Sequence, residues 1–333
     1  MTALAEKGGG AFPGIKLLLC ENPLPPIEEA IAAAQSEAPR GNYYTETYSA
    51  PLRRLTAERL GVPDRLVHVN AGSELILRQL FERFGQRVHL LTPTYALFPE
   101  IARSYSETRL RPEEDFSFDL GRLEVPPGTT LVALVNPNNP TGGTFDMEPL
   151  PALLAKHPDT LFLVDEAFIG LAGRSVAHRV PRHRNLLVTR TLSKAHSLAG
   201  FRVGYAVLPE PIADDLNRHN DAYPLARPSQ AAAIATLQHE DKIRERAAQL
   251  RRWTEALAAE LRALGVRCFP SETYFFLADF APHDAAVLAT RLLERNILVK
   301  PLDDKHLGSG YMRVTTALPE DNVRFVAALR ELL

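Results

Sequence analysis

The chain has 333 residues, 45% of them hydrophobic and 23% charged, with a formal net charge of −2. This is ordinary globular composition, enough for one large domain with a smaller companion, and its arginines are interleaved with acidic residues rather than gathered in the basic stripe of a nucleic-acid binder. Cys20 and Cys268 form neither a disulfide framework nor a metal-type spacing, the first residues do not read as a signal peptide, and no apolar run is long enough to cross a bilayer, so a cytoplasmic protein with no metal is expected.

The first 40 or so residues are irregular, with a glycine-rich start and a proline-rich patch at Asn22–Pro26, before an alanine-rich helix over Pro26–Ser36. A strand–helix rhythm follows: a short strand at Leu66–Val69, a helix at Ser73–Phe84 with apolar residues at helical spacing, a strand at Arg87–Leu91, and a helix at Ala96–Ser104. Leu131–Val135 and Leu161–Val164 are continuous apolar runs bounded by turn residues, as in strands buried on both faces of a mostly parallel sheet; Leu186–Thr189 and Arg202–Val207 look alike. After Pro209 the pattern changes to helices at Ile212–Asn220, Pro228–His239 and about Asp241–Leu264. Strand material at Val266–Phe280, a helix at His283–Arg295, short strands at Ile297–Lys300 and Tyr311–Thr315, and a helix at Asp321–Leu333 close the chain. The expected organisation is an α/β domain over 41–210, with 1–40 as an arm joined to a smaller α+β unit over 211–333.

Ligands of open α/β sheets bind beyond the carboxyl ends of the strands. Four segments sit there: Ala71-Gly-Ser-Glu74, Asn136-Pro-Asn-Asn-Pro-Thr-Gly142, Asp165-Glu-Ala-Phe168 and Arg190-Thr-Leu-Ser-Lys194. Each has a plain alternative. Asn-Pro and Pro-Thr-Gly are turn formers, Asp165 is a possible helix cap, Gly72-Ser73 is an ordinary helix start, and a lone lysine is usually solvated. Together they acquire chemical meaning. A lysine can form an imine with an aldehyde cofactor, a pyridinium nitrogen needs a buried carboxylate, and a cofactor phosphate suits a helix N-terminus at Ser73 and Glu74 with the hydroxyls of Thr191 and Ser193 and with Arg202.

The string Thr191-Leu-Ser-Lys194-Ala-His-Ser-Leu-Ala-Gly-Phe-Arg202-Val-Gly-Tyr205 resembles the lysine motif of fold-type-I pyridoxal 5'-phosphate aminotransferases, closest to the histidinol-phosphate aminotransferase branch, with threonine-phosphate decarboxylases beside it. The resemblance runs from Glu21-Asn-Pro23 to Tyr311-Met-Arg313-Val-Thr315. It implies a three-layer α/β/α large domain of the aspartate-aminotransferase type. It also implies that Lys194 holds pyridoxal 5'-phosphate as a Schiff base and shuttles the proton. Asp165 would pair with the pyridine nitrogen, Asn139 with the phenolic oxygen, and Tyr95 would stack on the ring. Ser73, Glu74, Thr191, Ser193 and Arg202 would form the phosphate cup, and Tyr44 would reach the phosphate of a neighbouring subunit in a homodimer. Arg313 would clamp the substrate carboxylate, and Asn22 would line the substrate pocket. The implied reaction is ping-pong transfer of an amino group between a small-molecule donor, an amino acid or amino-alcohol phosphate, and a 2-oxo acid.

Several residues depart from the pattern. Phe168 stands where these aminotransferases usually carry tyrosine, a donor to the phenolic oxygen. Without that donor the phenolate holds the imine proton more strongly, so the imine pKa should be raised. Spectral pH titration of wild type and Phe168→Tyr checks this, and coincident curves would overturn it. Lys300 replaces an arginine used on substrate phosphate in the histidinol-phosphate enzymes, and an ammonium lacks the planar fork. Tyr274 replaces the asparagine that usually precedes Phe275, Tyr44-Thr-Glu46 replaces Tyr-Pro-Asp, and Leu24-Pro-Pro stands where Tyr-Gly is common. All lie around the expected substrate pocket. A decarboxylase on the same scaffold is the nearest rival, favoured by Phe168. A non-catalytic regulator would need an added helix-turn-helix segment, and none is expected before Asn22 or after Leu333. No Gly-x-Gly-x-x-Gly follows a strand, which argues against a dinucleotide enzyme.

Overall fold

The computed structural model describes residues 12–304 and 306–333. Thirteen strands are found among them: β1 (Ile15–Lys16), β2 (Val67–Asn70), β3 (Val88–Thr92), β4 (Tyr105–Arg109), β5 (Leu131–Val135), β6 (Leu161–Asp165), β7 (Leu186–Thr191), β8 (Gly204–Val207), β9 (Arg267–Cys268), β10 (Phe275–Asp279), β11 (Ile297–Leu298), β12 (Lys300–Pro301) and β13 (Tyr311–Thr315). Seven of them form the central sheet in the order β2-β8-β7-β6-β5-β3-β4. Every pairing is parallel except those of β8, which runs against both β2 and β7.

Alternation along the buried strands builds the layers. Leu131, Ala133 and Val135 of β5 pack into a core with Ile76, Leu80 and Phe81 of the helix Ser73–Phe84, whereas Val132 and Leu134 join the opposite core. The sheet is thus covered on both faces, which is why β5 and β6 read as unbroken apolar runs. The face lined by Val132 and Leu134 also receives Ala30, Ala34, Ala232, Ala233 and Leu237 from the helices Glu28–Glu37 and Arg227–Gln238.

A second core lies under the antiparallel sheet β12-β13-β10-β9. Phe276, Ala278, Met312 and Val314 point into it, against Leu288 and Leu292 of the helix Ala285–Leu293 and Phe325 and Leu329 of the helix Pro319–Arg330. Ile15 and Leu17 belong to the same core, and β1 pairs in parallel with β11. The helix Glu240–Ala263 serves both cores, placing Ile243, Ala247 and Leu250 in the first and Leu257, Ala258 and Leu261 in the second.

The helix expected over Ala96–Ser104 is short, Leu97–Ile101, because Ala102 is already extended. The chain then forms the edge strand β4, which the sequence concealed: Tyr105-Ser-Glu-Thr-Arg has no apolar face, as an exposed edge requires none. The Val266–Phe280 region is two strands with a turn-rich interruption, not one. No helix among the described residues is long and apolar enough to cross a membrane.

Candidate active site

The carboxyl ends of the parallel strands meet at one edge of the sheet, and the antiparallel β8 contributes its first residues to that same edge. The register sets Val135 beside Asp165, Asp165 beside Thr189, and Thr191 beside Gly204. Asp165 is 2% exposed and accepts a hydrogen bond from the Thr189 hydroxyl at 2.9 Å. Burial pushes its carboxyl up to about 7, against the opposing effect of that hydroxyl. A neutral acid at this depth becomes a carboxylate when a cation is brought to it. Its neighbour Glu166 is equally buried but is fully engaged, receiving Arg190 Nε at 2.8 Å, the Ser175 hydroxyl at 2.8 Å and the Val176 amide at 2.7 Å.

Lys194 follows β7 by three residues. Its Nζ donates to the carbonyls of Leu19 at 2.9 Å and Cys20 at 3.2 Å, and lies 5.7 Å from the centroid of the Phe168 ring. Burial lowers the lysine pKa, with the Arg313 charge acting in the same direction. Both effects favour the neutral amine needed for imine formation and proton transfer. Asn22 holds the backbone of this turn, donating to the carbonyls of Lys194 at 3.0 Å and Ala195 at 3.3 Å.

Arg313 stands mid-strand in β13, opposite Leu277 on one side and Lys300 on the other. It is 9% exposed. One nitrogen donates to the side-chain oxygen of Asn139 at 2.9 Å, another donates to the Leu18 carbonyl, and its buried Nε has no partner among the described residues. Lys300 is half-buried, and its pKa falls through burial and then through the Arg313 charge. Tyr95 packs edge-on against Phe98, and burial, with the Glu74 and Asp165 carboxylates adding to it, pushes its phenol up to about 12. It therefore stays protonated throughout the physiological range.

The residues expected to hold a phosphate converge on the start of the helix Ser73–Phe84. Among the described residues no side chain caps this helix, so its first amides are free to bind an anion. Two glycines permit the close approach: a Cβ on Gly72, where φ is +88°, would lie 2.4 Å from Arg202 Nη2, and one on Gly204 would lie 2.1 Å from the Ser73 amide nitrogen. The Thr191 hydroxyl reaches Ser193 Oγ at 2.9 Å. Glu74 contributes only its amide, because its carboxylate turns outward to Arg78 at 2.9 Å. Tyr44 makes no contact with this group; it is 77% exposed and stacks on Tyr223 at 4.4 Å between centroids.

Sequence reasoning missed three parts of this arrangement. Thr189 beside Asp165 was legible in principle, being two residues before Thr191 on the same strand face. The carbonyls of Leu18, Leu19 and Cys20 carry no side-chain signal at all. Tyr274 was noticed as a departure, but not that its hydroxyl donates to the Cys20 carbonyl at 2.5 Å.

A buried acid, a lysine of depressed pKa and a helix start with open amides beside an arginine are the complement of a phosphorylated pyridine aldehyde, and the residues present fit pyridoxal 5'-phosphate. Residues 14–329 match the family model described as aminotransferase class I and II. The chain is 34% identical over 334 residues to histidinol-phosphate aminotransferase 1 of Bordetella parapertussis, covering 96% of this chain and 92% of that protein. It is 31% identical over 328 residues to histidinol-phosphate aminotransferase 2 of Gluconobacter oxydans, with the same coverages. In fold it is similar to the histidinol-phosphate aminotransferase of Sinorhizobium meliloti, solved in complex with pyridoxal-5'-phosphate, with a TM-score of 0.86, 23% identity, and coverage of 99% of this chain and 93% of that one. A match over nearly the whole length, with the lysine, the acid and the phosphate cup at one sheet edge, places the chain among the class I and II aminotransferases, enzymes that depend on pyridoxal 5'-phosphate.

Proposed function

We propose that this aminotransferase exchanges an amino group between an anionic amino donor, of the amino-acid or histidinol-phosphate type, and a 2-oxo acid, with Lys194 as the proton-transfer residue. The observation that carries this reading is Arg313, buried beside Lys194 with an unpartnered Nε and with Lys300 across the strand. A guanidinium in that position suits a bidentate anion, and Lys300 adds a second charge for a carboxylate or phosphate. The names of the curated relatives favour histidinol phosphate as the first donor to try.

Bound pyridoxal 5'-phosphate supplies an electron sink for the charge that develops at the donor's Cα. The protein's part is positional and acid–base. Arg313 would turn its donors from the Leu18 carbonyl and the Asn139 side-chain oxygen to the substrate anion, which would fix Cα near Lys194. Lys194 would take the Cα proton and carry it to its new position, the neutral amine being favoured by burial and then by the Arg313 charge. Asp165, anionic against the ring nitrogen, would keep that nitrogen protonated. Tyr95 would pack over the ring, Asn139 would donate to the phenolic oxygen, and Ser73, Glu74, Thr191, Ser193 and Arg202 would hold the phosphate. The two half-reactions share these groups, hence ping-pong kinetics.

A homodimer is part of the proposal. Tyr44 and Tyr43 are exposed at 77% and 65% and hold no place in the site of their own chain, which suits a phenol that completes a partner's phosphate cup. A cytoplasmic setting agrees with two cysteines that are both free. The test is to offer histidinol phosphate and a panel of amino acids to the loaded enzyme and follow conversion of the cofactor to its amine form together with the product. A keto or aldehyde product and a 2-oxo acid requirement are expected. Carbon dioxide release without such a product would replace transamination by decarboxylation.

A further inference from the structure

The segment Leu18–Asn22 passes directly over the site. It is fixed at one end by β1 and by the Leu17 amide, which donates to the Leu298 carbonyl at 2.7 Å. At the other end Asn22 binds the Lys194 turn. Between these anchors three consecutive carbonyls face the functional cations: Leu18 accepts from Arg313, Leu19 from Lys194, and Cys20 from Lys194. The backbone reaches this arrangement by placing Cys20 at φ +50°, a left-handed conformation that costs a non-glycine residue energy and persists only when the surroundings hold it.

Two further side chains hold it. The Cys20 thiol is 3.6 Å from the Thr315 hydroxyl, a weak contact. The strong one comes from Tyr274, whose hydroxyl donates to the Cys20 carbonyl at 2.5 Å. Tyr274 is fully buried, wedged edge-on against Phe168 at 6.1 Å and Phe275 at 6.4 Å, so its phenol has a single orientation. Burial also raises its pKa well above the ordinary value, which keeps it a donor at any working pH. An asparagine at this position would be too short to span the same gap while filling the same space, so the hydroxyl and the left-handed Cys20 act together.

We propose that Tyr274 is a positioning residue for the amino-donor pocket: through the Cys20 carbonyl it sets the Leu18–Asn22 strap, the wall against which Arg313 and Lys194 are aligned. This rests on the aminotransferase reading of the site. Among the described residues the Tyr274 hydroxyl bonds to the Cys20 carbonyl and to neither of the two cations; its influence passes through the Cys20 peptide. Loss of its hydroxyl leaves the aromatic packing in place and frees the strap, which the donor must then order on binding.

The test is Tyr274→Phe in a Cys268→Ala background, so that Cys20 is the sole thiol. Removing one buried hydrogen bond should raise KM for the amino donor by roughly 3–10-fold with kcat changed by less than about twofold. The second readout needs neither turnover nor cofactor. Cys20 is 1% exposed, and labelling by a neutral thiol reagent on the folded, cofactor-free protein should accelerate by about tenfold or more as the strap opens locally. Unchanged labelling, or a kcat that falls while KM and labelling stay put, would overturn the proposal. If no amine is turned over by wild type, the functional reading fails while the labelling comparison still decides whether Tyr274 holds the strap.

Discussion

Lys194→Ala should lower kcat by at least about 10³-fold, because a positioned general acid–base contributes roughly 10²–10⁴ and this residue also forms the covalent link to the cofactor. The variant should fold, since among the described residues Nζ bonds only to the Leu19 and Cys20 carbonyls; its loss leaves the exposed Leu19 to solvent and the Cys20 carbonyl still bonded to Tyr274. Two measurements check the assignment. Borohydride treatment of loaded wild type should fix the cofactor to the chain, and the alanine variant should release it on denaturation. A small primary amine added to the variant should restore part of the turnover, because the missing function is a mobile proton carrier. Turnover within about tenfold of wild type would remove Lys194 from the chemistry.

Asp165 supports the second large effect, and it acts in opposite senses with and without cofactor. With cofactor bound, Asp165→Asn removes one member of a buried ion pair, a change that costs roughly 3–5 kcal/mol. Loss of that much transition-state stabilisation corresponds to a kcat lower by roughly 10²–10⁴-fold. In the cofactor-free protein the same substitution should stabilise the fold at neutral and alkaline pH. The folded carboxyl titrates at about 7 against an ordinary value of 3.8, because of burial. Below about pH 4 both folded and unfolded chains are protonated, and Asp165 costs nothing. As pH rises from there to 7 the unfolded chain ionises first, so folding stability falls, by up to roughly 4 kcal/mol once pH is above the folded value. Asparagine never ionises and lacks that slope. Urea denaturation of the two cofactor-free proteins should therefore coincide near pH 4 and diverge steadily toward pH 8, with the variant more stable. Parallel curves would mean that Asp165 is ionised in the empty pocket.

Both effects trace to the register of β6 and β7. Among the described residues the Thr189 hydroxyl is the one side-chain donor holding Asp165, so the acid has enough polar contact to be tolerated and too little to be charged on its own. Glu166, next in sequence and as deeply buried, meets Arg190 and two further donors. Two adjacent carboxylates are thus separated in role by their neighbours alone: one fastens the loop after β6 to β7, the other waits for a cation.

The sequence by itself determined the sheet and the order of the chemistry along it. Leu131–Val135, Leu161–Val164 and Leu186–Thr189 are apolar on both faces, which only a covered parallel sheet requires, and β5, β6 and β7 lie where those runs stand. The residue types at their carboxyl ends needed no coordinates, because imine formation, ring-nitrogen pairing and phosphate binding each demand a specific functional group. Tertiary structure decided what depends on distance across the fold. β4 is an edge strand whose pairing with β3, not its composition, makes it a strand. Glu74 turns its carboxylate to Arg78 because a helix start offers an anion its amides rather than an acidic side chain. Above all, the strap over the site acts through its backbone: Leu18, Leu19 and Cys20 meet Arg313 and Lys194 through carbonyls, which every residue carries, and Tyr274 reaches the Cys20 carbonyl from 254 positions away. A pattern of side chains cannot announce a contact made by peptide groups, and that contact forms only when the arm, β13 and the Lys194 turn are packed together.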